Sequence, residues 1–467
     1  MSAVARPAGA GERWAVVGGG FRGIVAAKLL REAGCAVTLI ERMGSLGGIL
    51  HAEEWQGLYL DKGCHYFDNA DDGVTRVVLE ILEDRVLPVA PRLATRLNGR
   101  VGQGVALLDF SRQDAALRRR IAEELKQAAG APERGVATLA AALAQRFGAT
   151  AGAAASAAAR KAFAIAPEAL DASALWTSPF VRIRPDDDEA SLRLKGVAGL
   201  DGRLAVSSLD DHFRFAPGVT GYRHRFFYPA GCGLRSFCDA AAAHLEGLGV
   251  GLVLGRGLVG LSADAEGVRL ELQGGEALEA ERLLWTLDLG PLAGLVLGED
   301  PLSSLIHRTP MVLYHFLLPA AAAPAFTYYY DFDPGSLVYR ASAPGFYGRQ
   351  SNPQGQSYVA VEVVVPQEHE VWRDPERAAP RVWSELRASG FTDLPAPLAV
   401  KTTTTPVSFK NPKLGHGVAL QKALERLVAA GRGRISWSDP GLMKKNDILH
   451  EVAALVGGGP PPQRVAG

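Results

Sequence analysis

Two glycine clusters flank one acid near the start of the chain. "GGGFRG" spans Gly18 to Gly23, "RMGSLGG" spans Arg42 to Gly48, and Glu41 lies between them. Glycine lets backbone N–H groups come close to a bulky anion, and a carboxylate accepts hydrogen bonds from hydroxyls. Together they suit a pyrophosphate and a ribose. Gly18 permits the tight turn, Gly20 lets the backbone approach the phosphates, and Gly23 lets helix and strand pack closely. Phe21, Arg22 and Arg42 sit inside the clusters and join the cofactor-binding candidates. Glu41 would bond the adenosine ribose and repel a 2′-phosphate, which argues against NADP. A nicotinamide fold explains the first cluster and leaves the second idle.

The flanking segments can position these residues. "WAVVGGG" reads as a buried strand entering a turn, "FRGIVAAKLLREAG" has helical periodicity closed by Gly34, and "CAVTLIE" is a second strand ending at Glu41. Strand, glycine turn, helix, strand and acid form the dinucleotide-binding βαβ unit.

Glu41 is followed six and seven residues later by Gly47 and Gly48. This resembles flavoproteins of the glutathione-reductase-like superfamily, in the amine-oxidase and protoporphyrinogen-oxidase branch. The resemblance implies FAD, with the second cluster near the pyrophosphate and ribityl chain. Ile49 stands where relatives often carry a basic or amide residue. "WQGLYLDKGCHYF" resembles the next family element and puts His65 near the flavin, as a catalytic candidate or as a neutral pocket residue. "FFYPAGCGLRSFCDAAAAHLEGLGVGLVLGRGLVGL" and "RLLWTLDLGPLAGLV" resemble later pieces of the cofactor domain. The resemblance assigns Val259 to the strand that meets the adenine. Near the C terminus "GRISW" reads as a returning strand and "NDILHEVAAL" as a helix, with Asn446 and Asp447 at its start. The family's glycine–aspartate or glycine–arginine pair is absent there.

The expected fold class is α/β, a Rossmann-type FAD-binding domain with a discontinuous α+β substrate domain. The cofactor domain is expected in three pieces, 12–70, 220–300 and 410–460. The inserts 71–219, mainly helical, and 301–409, a sheet, would form the substrate domain. "PDDDEASLR" reads as an acidic surface loop. "LVYRASAPGFYG" puts Arg340 on a strand, facing either the flavin and an anionic substrate group or a carboxylate at the sheet rim. "MVLYHFLLP", "FTYYYDF", "GSLVYRASAP" and "QSYVAVEVVVP" read as strands, and this succession resembles the UDP-galactopyranose-mutase-like and protoporphyrinogen-oxidase-like groups more than the classical amine oxidases.

Across 467 residues, 48% are hydrophobic and 21% charged, with 50 basic and 50 acidic side chains. That balance gives no global attraction to nucleic acid or anionic lipid. Four scattered cysteines without a CxxC pair support neither a disulfide framework nor a zinc site, so no metal is expected. The first ten residues lack a signal-peptide core, and no run reaches the roughly 20 apolar residues of a membrane helix. The expectation is a soluble cytoplasmic protein acting on a small-molecule substrate, without nucleic acid or stable membrane insertion. A homodimer is compatible with the sequence.

The resemblance favours an FAD-dependent oxidoreductase that moves a hydride from an amine-like or other small organic substrate to flavin N5, with oxygen or another acceptor reoxidising it. An aromatic pocket from Tyr328, Tyr329 and Tyr330 would suit an apolar amine, although alternating strand residues cannot all face it. One alternative is a flavin-dependent mutase acting on a nucleotide sugar, with a diphosphate site drawn from Arg182, Arg184, Arg223, Arg225 and Arg340. A second is a non-catalytic flavoprotein-like scaffold or accessory subunit.

Overall fold

In the computed structural model, which describes residues 7–68, 72–130, 135–212, 226–442 and 444–458, the first strand β1 (Arg13–Val17) buries Trp14, Ala15, Val16 and Val17 in succession. An unbroken apolar run is what a parallel strand covered on both faces requires. β1 pairs in parallel with β2 (Ala36–Glu41) on one side and with Arg282–Trp285 on the other. Gly251–Leu254 and Ile435–Trp437 complete a five-stranded parallel sheet.

Helix α1 (Phe21–Glu32) packs on one face with the helices Leu234–Gly247 and Lys445–Gly457 through Ile24, Phe237 and Val452. The opposite face is covered by a three-stranded antiparallel sheet and by Leu292 and Leu427. Each Val, Leu or Ile so buried contributes roughly 1.5–3 kcal/mol. The register aligns the strands' carboxyl ends: Val17 faces Trp285 and Ile40, Glu41 faces Leu254, and Trp285 faces Trp437. Gly18, Glu41, Thr286 and Ser438 therefore gather at one edge, the place where open α/β sheets bind ligands.

A second sheet has seven strands, in the order Ala399–Pro412, Ile306–Pro319, Gln356–Val363, Val338–Ser342, Tyr328–Asp331, Leu93–Leu97 and Arg100–Gln103. The last two come from the mainly helical insert, which also holds the short strands Val86–Val89, Leu108–Asp109 and Ile183–Arg184. Tyr328–Asp331 joins them in parallel, whereas the other pairings are antiparallel. Helix Pro375–Ala388 covers one face through Val382, Trp383 and Leu386. The alanine-rich stretch forms one helical element, Leu139–Phe163, kinked at Gly148 (φ 81°).

"PDDDEASLR" is not a loop. Asp187 accepts a hydrogen bond from the Ala190 N–H and starts the helix Asp188–Lys195, so its acids are helix-start signals. Among the described residues no helix is long and apolar enough to cross a membrane, and no His, Cys, Asp and Glu group could hold a metal ion.

Candidate active site

The two glycine clusters touch. Gly20 and Gly47 form a parallel bridge, and the Gly47 N–H donates to the Gly19 carbonyl at 2.8 Å. A Cβ on Gly48 would stand 3.2 Å from Gly20 Cα. Gly18, at φ 110°, lies against Thr286, whose hydroxyl donates to the Val17 carbonyl at 2.8 Å. A Cβ on Gly23 would come within 1.7 Å of the Gly18 carbonyl oxygen, so close packing there requires glycine. A Cβ on Gly20, by contrast, would meet nothing within 4 Å. Gly20 caps α1 without a side-chain hydrogen bond, leaving its first turn uncapped beside that open space.

Glu41 is buried at this edge. Its carboxylate accepts from the Gly19 N–H at 2.6 Å and from the Met43 N–H at 2.8 Å. Each carboxylate oxygen has a second lone pair for a ribose hydroxyl.

The remaining candidates in this half divide. Phe21 is a core residue, 5.9 Å from the Phe67 ring and 6.1 Å from the Phe237 ring, so only its backbone faces the turn. The Arg22 guanidinium donates to the Leu442 carbonyl and faces Glu451, Asp439 and Asp288; burial lowers its pKa. It ties α1 to the C-terminal segment. Arg42 is exposed. Val259 points outward, 55% exposed, beside a surface hollow of about 580 Å³ that it shares with Arg269 and Glu271. A bulge between Leu258 and Gly260 sets this register, and Leu258 and Leu261 pack inward instead. The neighbouring Gly255 and Arg256 N–H groups, not Val259, bond the carbonyls of Met43 and Glu41.

A second group of side chains gathers where the loop 61–66 crosses the seven-stranded sheet. The Tyr328 hydroxyl donates to the Cys64 carbonyl at 2.6 Å, and the Tyr66 ring meets Tyr328 edge-on at 6.0 Å. Lys445, in the first turn of the C-terminal helix, donates to the Tyr66 carbonyl at 2.8 Å and lies 4.9 Å from the Phe67 ring centroid. His65 sits near both Lys445 and Arg340. Burial first, then these two cations, push its pKa down to about 3, so its ring is neutral. Its Nε2 lies 3.2 Å from the Lys62 carbonyl, which can only accept, so Nε2 carries the hydrogen and Nδ1 offers a lone pair. His65, Tyr66, Tyr328, Arg340 and Lys445 are all desolvated by surrounding protein and all retain accessible surface. They form one half-buried cluster of side chains, the inner site.

Arg340 does not present a free charge there. Its Nε donates to Glu362 at 2.7 Å, and the guanidinium packs over the Tyr328, Tyr330 and Phe409 rings. Tyr328 and Tyr330 stack on the same face, 5.8 Å apart, whereas Tyr329 turns to the opposite core and meets Asp331 and Ser389.

Behind the loop, Asp61 is fully buried and accepts from the Tyr228 hydroxyl. Burial raises its pKa to about 7 against that hydrogen bond and one from the Leu234 N–H.

At the C terminus the buried Asn446 donates to Asp68 and accepts from Thr75 at 3.4 Å, so it braces two segments of protein. Asp447 is exposed in the first turn of the helix. The acid at the sheet edge is instead Asp439. It follows the strand Ile435–Trp437, and the Ser438 N–H donates to the Trp285 carbonyl at 3.0 Å. Sequence reading passed over Ser438–Asp439 because serine stands where a glycine was sought. The signal available was an acid just beyond the strand.

These features fit FAD. The open space above Gly20, the uncapped start of α1, the Gly20–Gly47 contact and the Glu41 carboxylate form a continuous backbone-lined edge. The half-buried groups around His65 form a second cluster.

A family model described as flavin containing amine oxidoreductase matches residues 23–404. The human all-trans-retinol 13,14-reductase is 35% identical over 77 residues, 16% of this chain and 13% of the relative, so the chain matches only a small part of that protein's length. The crystal structure of reduced UDP-galactopyranose mutase has a TM-score of 0.69 at 16% identity, covering 95% of this chain and 94% of the other. A putative protoporphyrinogen oxidase from Exiguobacterium sp. 255-15 has a TM-score of 0.63 at 15% identity, covering 96% and 98%. The chain belongs to the flavin-containing amine oxidoreductase family, a family of FAD-dependent oxidoreductases.

Proposed function

We propose that this protein takes a hydride from a neutral, largely apolar organic substrate such as an amine. The observation that carries this reading is the Arg340–Glu362 pair, which neutralises the arginine of the inner site and leaves stacked tyrosines beside it. The amine must arrive uncharged, and Lys445 disfavours an ammonium.

FAD, when bound, supplies the two-electron acceptor. The chain supplies position. Gly18, Gly20, Gly23, Gly47, Gly48 and Glu41 would hold the dinucleotide, and Asp439 at the edge is a further candidate. Tyr66 and Tyr328 would flank the substrate and exclude water. Neutral His65 would accept a hydrogen bond from a substrate N–H or O–H through Nδ1 without taking the proton, because its basicity is too low. Loss of hydride from an amine carbon leaves an iminium that water can hydrolyse outside the site. The named substrate of the retinol reductase is likewise neutral and apolar.

The mutase reading needs free arginines for a diphosphate. Arg182 donates to the Asp201 and Leu204 carbonyls, Arg184 pairs with Asp109, and Arg340 pairs with Glu362. Arg223 and Arg225 lie outside the described residues.

Anaerobic mixing with neutral arylalkyl or long-chain amines tests the reading. The expected result is bleaching of the flavin band by at least one of these amines and no spectral change with a UDP-sugar. Inertness to every amine together with turnover of a UDP-sugar by pre-reduced protein would replace it with the mutase.

A further inference from the structure

Lys445 occupies a position that structural stability does not favour. It lies in the first turn of the helix Lys445–Gly457, where the helix dipole is positive and a cation is disfavoured. No side chain caps that helix. Protein desolvates the ammonium, and its polar partner among the described residues is a carbonyl, that of Tyr66.

Asp68 lies near enough to favour the ammonium, while its carboxylate accepts a hydrogen bond from Asn446, the next residue in the helix. Glu451, one and a half turns further along, accepts from the Ser438 hydroxyl and the Asp439 N–H. The other titratable and charged groups facing this corner are Cys64, His65 and Tyr66 from the crossing loop and Tyr328 and Arg340 from the sheet. The helix itself also carries Asp447 and His450. Arg340 has its own counter-ion in Glu362. Lys445 is thus a cation of the inner site, beside neutral His65, that hydrogen-bonds no carboxylate among the described residues.

We propose, on the flavin-oxidoreductase reading above, that Lys445 is a positioning charge for the cofactor: its ammonium stabilises the negative charge that reduction adds to the flavin, and this support disappears when the ammonium loses its proton. A charge near the ring is one of the ways a protein tunes flavin electronics. The pH range follows from the site. Burial pulls Lys445 down to about 8, opposed by Asp68 and Cys64, so the support is present below about pH 8 and fades above it.

The test is the equilibrium midpoint potential of the FAD-loaded protein, measured with reference dyes across that pH range for wild type, Lys445→Met and Lys445→Arg. Below pH 8 Lys445→Met is expected to shift the reduced-to-oxidised ratio about tenfold toward oxidised, about 30 mV for two electrons. The gap to wild type should close in alkaline solution, and Lys445→Arg should keep the higher potential there. A second readout needs no flavin: in the apoprotein, removing the Lys445 charge should raise the His65 titration midpoint seen by NMR. Coincident potentials for wild type and Lys445→Met at every pH overturn the proposal while leaving the oxidoreductase reading intact. If Lys445→Met does not fold, a Lys445→Arg protein whose potential falls with pH as the wild type does overturns it equally. A wild-type protein that binds no FAD removes both.

Discussion

Arg340 and Glu362 face each other on adjacent strands of the seven-stranded sheet, Nε 2.7 Å from Oε1, with side chains only 11% and 2% exposed. Burial works against both charges and raises the Glu362 pKa, while Arg340 opposes that rise and Glu362 helps hold the guanidinium's pKa up. Removing one partner strands the other in a desolvated site. Glu362→Gln is therefore expected to destabilise the fold by about 3–5 kcal/mol. Replacing both residues by apolar side chains of similar volume should cost much less. Urea denaturation of the single and double variants checks this, and equal losses in both would show that the pair is not coupled.

Gly23→Ala sets a Cβ 1.7 Å from the Gly18 carbonyl. Neither backbone can yield without separating α1 from β1. The expected result is a destabilisation of roughly 1–3 kcal/mol with loss of bound flavin. Gly20→Ala, whose Cβ meets nothing in the protein, should leave the apoprotein's melting temperature near wild type while weakening flavin binding. Calorimetry of the apoproteins and flavin titration separate the two.

Asp61 gives a pH dependence of known sign. Its carboxyl is raised by burial from about 3.9 when unfolded to about 7 when folded. The folded state then holds a proton the unfolded chain releases, so stability from this group is full below about pH 3.9 and falls as pH rises toward 7. Asp61→Asn should lose that decline. The difference between the two unfolding curves, measured from pH 4 to 8, should narrow and then favour the variant as pH increases.

Tyr328 and Tyr329 are neighbours with opposite duties. Tyr329 is fully buried, and Tyr329→Ala should cost about 3–5 kcal/mol. Tyr328 retains accessible surface on the inner site. Tyr328→Phe should keep the fold and the flavin, raise KM for an apolar amine and loosen the Cys64 turn. Steady-state kinetics beside thermal melts distinguish these outcomes.

The cofactor edge was legible because it is local: turn, helix start and acid follow one another within 31 residues, from Gly18 to Gly48, and their chemistry is mostly backbone. The alternation of Tyr328 to Tyr330 was also readable, since a strand sends successive side chains to opposite faces. What escaped depends on distant segments meeting. Glu362 reaches Arg340 through strand register, and Asp68 claims Asn446 from 378 residues away. Lys445 gains its meaning only from the loop it touches. Val259 lies on a strand, as read, and the bulge beside it, between Leu258 and Gly260, goes with a side chain that faces outward. The strands Leu93–Leu97 and Arg100–Gln103 were hidden within a segment dominated by helix-favouring alanine.

The central claim is that the two touching glycine clusters hold FAD. The most direct test is the visible spectrum of the purified protein, with the released chromophore identified by mass. The account predicts equimolar FAD, or stoichiometric uptake of added FAD by apoprotein. A folded, colourless protein that binds no added FAD would contradict it.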